Sequence, residues 1–319
     1  MAIQQAVGRW AAVVAAVLLG ASECRSAPVA PAPTAKAETP ATTPPVVTPP
    51  ANGAVPAWAK VSPLQIDAAR KAGVPVAKEL DLGGGVTVKL VLIPAGKFVM
   101  GSPDSEKGRV KNESPHEVSL SKPFYMGVTE VTQAQYQAIM GTNSSHFKGE
   151  TNPAEMVSWN DATDFCKKLS GKTRQTFRLP TEAEWEYACR VEDPPRRAGT
   201  ATAFSFGDSD SNLGEYAWYW TNSDNAAHPV GLKKPNAWGL YDMHGNVWEW
   251  CADWYGEYPK GAVTDPQGAA PCAQCVLRGG SWLFNTGNCR AANRHWSSPG
   301  GRLSDFGFRV VVSVSPPGP

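Results

Sequence analysis

The sequence predicts a mixed α+β domain rich in loops, and three observations lead there. Helix start signals cluster near the middle of the chain, while alternating, β-branched runs lie toward both ends. Twelve Trp and 30 Gly in 319 residues suggest aromatic packing in place of long regular elements. The stretch Asn236–Tyr255, NAWGLYDMHGNVWEWCADWY, carries rings at Trp238, Tyr241, Trp248, Trp250 and Trp254, with breaks at Gly239 and Gly245. One amphipathic stripe cannot absorb so many rings. The stretch therefore reads as an irregular buried loop whose Asn, Asp and Glu groups satisfy turned backbone or bind a cation.

Taken in order, residues 1–24 read as an export signal: Arg9 supplies the charge, and Trp10–Gly20 is apolar but too short to span a bilayer comfortably. Cleavage after Ser22 fits. Cys24 raises the alternative of a lipidated, membrane-tethered protein, with Glu23 against it and the run ending at Leu19 for it. Residues 25–60 are mostly Pro, Ala, Thr and Val, a composition that builds an extended linker and no core. Residues 61–85 form a short extension, weakly helical over Val61–Lys78 with Pro63 near its start. The folded domain is expected over 86–313, with a tail at 314–319. Val86–Met100 predicts two strands around a turn at Pro94–Gly96, and His116–Met126 another strand. A helix starts at Thr129–Thr132 and stops at Gly141. Ser158-Trp-Asn-Asp161 resembles a capping box with Asp for Glu and opens a helix ending near Gly171. Thr181-Glu-Ala-Glu184 is a fuller capping box, and its helix turns Trp185, Ala188 and Cys189 inward. No internal repeat or second domain is visible, and a monomer is expected.

Hydrophobic residues make up 42% and charged residues 18%, enough for a substantial core. A net charge of +1 gives no reason to expect nucleic acid or an acidic membrane as partner. The expected location is extracytoplasmic, periplasmic or cell-surface. With Cys24 assigned to the signal or a lipid, six cysteines remain: Cys166, Cys189, Cys251, Cys272, Cys275 and Cys289. Cys272-Ala-Gln-Cys275 has the spacing of redox or zinc sites, but no second such pair accompanies it. A local disulfide suits an oxidising compartment better. Cys166 and Cys251 read as small core hydrophobes. The histidines (His116, His146, His228, His244, His295) show no metal-ligand spacing.

The Asn236–Tyr255 stretch, FRLPTEAEWEYACR at Phe177–Arg190, LRGGSW at Leu277–Trp282 and GFRVV at Gly307–Val311 come in one order. Together they resemble the signature of formylglycine-generating enzymes and the wider sulfatase-modifying-factor family, over about Val86 to Val312. The resemblance implies a C-type-lectin-like variant with little regular secondary structure. It also implies a Cys189–Cys289 disulfide, although the cysteine of Cys289-Arg-Ala-Ala-Asn-Arg294 is displaced by two residues from the family's place. The family's enzyme oxidises a peptide cysteine with oxygen and copper held by two thiolates. Its first thiolate position, three residues after Ser281, is Phe284 here, and the second falls on Cys289 if no gap is placed. One sulfur cannot build that soft-ligand pair, so copper is not expected, and Cys289 is the only catalytic candidate. The family's iron-dependent sulfoxide synthases rely on His residues in an extra helical domain that this sequence does not match. A family calcium loop resembles Gly245, Asn246, Val247 and Glu249, with Asn212 matching a second site less well. The alternative is that Glu249 caps amides or pairs with Arg278 or Arg309.

Arg278–Arg309 also resembles the variable segment of target proteins of diversity-generating retroelements. That resemblance casts Trp282, Phe284, Asn285, Asn288, Asn293, His295, Trp296 and Ser297 as ligand contacts, the last six of them, from Asn285 on, as exposed groups on a rigid scaffold. Two functions stay open. One is an exported, tethered protein that binds a protein or small molecule. The other is an enzyme of the modifying-factor class with altered chemistry. Fold resemblance does not choose between them.

Overall fold

The computed structural model describes residues 55–191 and 202–314. The export signal, Cys24, the Pro-rich segment as far as residue 54, and the tail from 315 lie outside the described residues. Among the described residues no helix is long and apolar enough to cross a membrane.

Four helices begin at reciprocal capping boxes, in which a hydroxyl takes the N3 amide and the N3 side chain takes the cap's own amide. Ser62 with Gln65 opens α1 (Pro63–Ala72), and Thr132 with Gln135 opens α2 (Gln133–Met140). Ser158 with Asp161 opens α3 (Trp159–Thr173), and Thr181 with Glu184 opens α4 (Glu182–Cys189). Gly141 ends α2 in the left-handed conformation, as its position predicts. α3 does not end at Gly171; it continues to a left-handed Arg174 at φ 57°. The buried face of Ala162, Phe165, Cys166 and Leu169 holds the helix together past that glycine.

Strands β1 (Ala77–Asp81), β2 (Thr87–Ile93), β5 (Phe124–Gly127), β12 (Val311–Ser313) and β6 (Phe177–Arg178) form one antiparallel sheet in the order β1-β2-β5-β12-β6. The first and last strands of the described residues thus share one sheet. β3 (Gly96–Met100), β4 (His116–Leu120) and β8 (Val263–Thr264) make a second. The turn at Pro94–Gly96 is therefore no hairpin: β2 and β3 leave it for different sheets, and His116–Met126 likewise splits into β4 and β5. Burial favoured these partners over the local ones, because four of the last residues of β2 are buried together, a run too apolar for a half-exposed hairpin. A short strand, β1, occupies the end of the segment read as weakly helical.

The third sheet positions the site. It runs β10 (His295–Ser297), β9 (Cys275–Arg278), β7 (Trp248–Trp254), β11 (Phe306–Gly307). The aromatic stretch is thus only partly a loop. From Trp248 it is a strand, with the ladder to β9 slipping between Trp250 and Trp254. Trp238, Trp248 and Trp250 are fully buried in the main core, and the Trp250 indole donates to the Val157 carbonyl at 2.8 Å.

Candidate functional site

The sheet β10-β9-β7-β11 rests on buried ion pairs. Arg309 grips Glu249 through Nε and Nη2 at 2.6 Å each, and the Trp185 indole donates to the same carboxylate at 2.8 Å. Arg278 pairs with Glu186, and Glu186 also accepts from Arg190 at 2.7 Å. Arg294 holds Glu182 at 2.6 and 2.8 Å, and Arg290 holds Glu113 with two bonds of 2.8 Å. All these side chains are buried. Desolvation on this scale makes each pair costly to break from one side.

Above this floor the segment from Ser281 to Ser297 forms a face. The RGGS turn brings it in close: a Cβ at Gly280, φ 77°, would sit 2.8 Å from the Cys289 sulfur. Phe284 is half-buried and packs edge-on to Trp248 at 5.5 Å. His295 lies tilted against Trp248 at 5.0 Å, and burial lowers its pKa to about 4, so it is neutral at physiological pH. Trp296 lies beside Tyr255 at 6.2 Å. Asn285 is exposed; Asn288, Trp296 and Ser297 are half-buried. Two of the expected contacts are corrected. Trp282 is buried, its ring against Phe147 at 5.3 Å, and Asn293 is buried with its carbonyl taken by Arg278. The face instead includes exposed Leu283 and Trp220, the latter tied to it by its amide on the Phe284 carbonyl at 3.0 Å. Trp220 lies far outside the segment that drew attention in the sequence.

All six described cysteines are free thiols, so neither Cys189–Cys289 nor Cys272–Cys275 is bonded. His244 contacts both residues of the first pair. Its Nε2 lies 3.7 Å from the Cys189 sulfur, and its Nδ1 faces the Cys289 carbonyl at 2.8 Å. Cys272 points its sulfur at the Tyr255 and Gln274 carbonyls. Cys289 is fully buried beside Phe204 and Leu213, and burial pushes its thiol up to about 12. It is a packed neutral thiol with no thiolate character.

The calcium-like turn is rearranged relative to expectation. Glu249 is saturated by Arg309 and Trp185, which is the ion-pair alternative. The Asn246 side chain is taken up by the His228 backbone, accepting its N–H at 3.0 Å and donating to its carbonyl at 3.2 Å. Gly245 closes the turn onto the Asp242 carbonyl, and the Val247 amide faces Glu130 at 3.4 Å. Asn212 is exposed and caps nothing. The unsatisfied charge is elsewhere. Asp242 Oδ1 is buried without a hydrogen bond, and burial raises Asp242 to about 6 and Glu130 well above the carboxylate range, each beside the other. Hard oxygen donors short of positive charge fit a cation. Among the described residues no three His, Cys, Asp or Glu side chains converge as a metal set, so main-chain oxygens of the turn would complete it. Asp242 and Glu130 carried no spacing signal in the sequence.

Fold and face together define a C-type-lectin-like scaffold of the formylglycine-generating type. Residues 85–314 match the Sulfatase-modifying factor enzyme 1-like domain, and the chain belongs to that family. It is 31% identical to the chaperone protein LppX of Paenibacillus barcinonensis, the alignment covering 72% of this chain and 92% of that one. It is 30% identical to the formylglycine-generating enzyme of Streptomyces coelicolor, covering 69% and 88%. Among solved structures, Treponema denticola variable protein 1 superposes with a TM-score of 0.69 at 35% identity, over 76% of this chain and 100% of that one. PvdO of Pseudomonas aeruginosa gives 0.62 at 31%, over 71% and 94%.

Proposed function

We propose that this protein is a ligand-binding member of the sulfatase-modifying-factor family, exported and tethered, that recognises its ligand on the face formed by Leu283, Phe284, Asn285, Asn288, Trp296, Ser297 and Trp220. One observation carries the reading: at the first copper-thiolate position stands Phe284, packed on Trp248, and the remaining sulfur, Cys289, is a buried neutral thiol. A phenyl ring supplies no soft ligand for cuprous ion. Half-buried rings and adaptable amides on an ion-paired floor suit recognition instead. Similarity to a variable protein and to a protein named a chaperone supports binding over oxidation. Cys24 is the proposed lipid anchor and residues 25–54 the tether, since Trp58 and Ala59 already pack against the core. Calcium is the proposed structural ion, at the Asp242–Val247 turn. Diversification of the Arg278–Arg309 segment goes with this reading, and a reverse transcriptase gene beside an imperfect repeat of the coding sequence is its test.

Binders selected from a displayed peptide library against the purified protein test the function. Their binding is expected to vanish in the double variant Trp220→Ala, Trp296→Ala, with the melting temperature kept. Conversion of a cysteine-containing sulfatase peptide to the aldehyde by the wild-type protein, read by mass spectrometry, overturns the proposal.

A further inference from the structure

Between the chain that follows β7 and strands β3, β4 and β8 lies a cavity of about 420 Å3, lined by Asp253, Glu182, His116, Tyr258, Trp254 and Arg294 among others. No residue of the ligand face lines it. Its volume falls within the range of small-ligand sites, and its lining includes a carboxyl oxygen without a hydrogen-bond donor among the described residues.

Asp253 is buried, and one of its carboxyl oxygens accepts the Glu182 amide at 2.8 Å; that is its only hydrogen bond among the described residues. Gly268, at φ 76°, lies over the other oxygen so closely that a Cβ there would stand 2.7 Å from it. No side chain of that loop reaches the oxygen to donate. His116 directs Nδ1 to the Ser114 carbonyl at 3.1 Å, which makes that nitrogen the donor and leaves Nε2 as an acceptor. The cation already present is spent. Arg294 gives its donors to Glu182 and to the Asn112 and Gly256 carbonyls, and its guanidinium lies over the Tyr258 ring at 3.9 Å. Glu182 is in turn taken by Arg294, Arg278 and Tyr258. Asp253 and His116 thus line a cavity walled also by the rings of Trp254 and Tyr258.

We propose that this cavity is a second binding site, one that takes a primary ammonium group, either of a small free amine or of a lysine side chain. The ammonium donates to Asp253 and His116, and ring faces favour its charge. Binding is linked to protons. Burial first, then the Glu182 charge, raises Asp253 to about 8, with Glu184 raising it further and Arg294 lowering it. Arg178 senses the same carboxyl, and His116 and Tyr258 share its cavity. At pH 7 the empty site therefore holds a proton that an incoming ammonium displaces. Below about pH 8 affinity rises by up to tenfold per pH unit, and above it the dependence ends.

Calorimetric titration of the purified protein with n-butylammonium chloride at pH 7, in phosphate and in HEPES, neither of which offers a primary ammonium, tests this. The expected result is binding with release of up to one proton, and an affinity that climbs from pH 6.5 to about 8 and then levels. A peptide containing lysine, run beside the amine, separates the two sources: binding by both assigns a lysine side chain, and binding by the amine alone assigns small free amines. Asp253→Asn retains an acceptor for the Glu182 amide and should abolish binding. His116→Phe keeps the ring, removes the acceptor and should weaken binding. n-Butanol binding as well as the amine, no binding of either amine, or binding without proton release overturns the proposal, and these wild-type measurements decide it even if Asp253→Asn fails to fold.

Discussion

Glu155 offers a stability measurement whose sign and size follow from its surroundings. It is fully buried; Oε1 accepts the Phe147 amide at 2.7 Å, and Oε2 has no partner. Burial raises its pKa from 4.5 to about 7, with the Asp305 charge adding to it against the Phe147 and His146 amides. A carboxyl whose folded pKa exceeds its unfolded one binds more protons when folded. Its contribution is complete below about pH 4.5 and is lost as pH rises through 7. At about 1.4 kcal/mol per pH unit the loss comes to about 3 kcal/mol. Glu155→Gln keeps the acceptor and the shape but carries no charge. In urea unfolding followed by tryptophan fluorescence, the variant should lie within about 1 kcal/mol of wild type at pH 5. At pH 8.5 it should be the more stable by about 3 kcal/mol, with an unchanged m-value. Wild type and variant running parallel from pH 5 to 8.5 would refute the reasoning.

Glu249→Ala should cost about 3–5 kcal/mol, because it leaves Arg309 buried without its anion; Glu249→Ala together with Arg309→Met should recover much of that in the same unfolding assay. Calcium should raise the melting temperature and a chelator lower it, and Asp242→Ala should abolish the response; a melting point indifferent to chelator removes the ion from the picture. Under native conditions an aromatic disulfide reagent should reach Cys272 ahead of the five buried thiols, which should react only after denaturation. Purified protein should bind cuprous ion weakly, and Phe284→Cys should not restore tight binding while the Cys289 thiol stays packed beside Leu213.

Helix starts were the most legible part of the sequence, because a capping box is local: Thr132, Ser158 and Thr181 each meet partners three residues away. The C-type-lectin-like class and the family were legible from ordered motifs. Strand partners were not. The two runs flanking Pro94–Gly96 look like a hairpin within their own window, and only the pairing of β2 with β1 and β5 separates them. In the site, the absence of a thiolate at Phe284 could be read by counting, and exposed Asn285 followed from the resemblance to a variable segment, which also cast the half-buried Trp296 as exposed. Trp220, Asp242, Glu130 and Asp253 could not, since each gains its meaning from neighbours tens of residues away or more. Glu249 shows the limit most plainly: the same residue fits a calcium loop or an ion pair, and Arg309, 60 positions later, decides it.

The arginine floor has a consequence for how this surface can change over generations. Arg278, Arg290, Arg294 and Arg309 fix the backbone of the C-terminal segment from below, through partners at Glu113, Glu182, Glu186 and Glu249. The outward positions between them, such as Leu283, Asn285, Asn288 and Ser297, make no ion pair with that floor. Substitutions away from buried partners usually move stability by less than about 0.5 kcal/mol. Heredity can therefore rewrite the outward residues many times over while the inward ones hold the register, so new specificities can arise without the fold having to be reinvented.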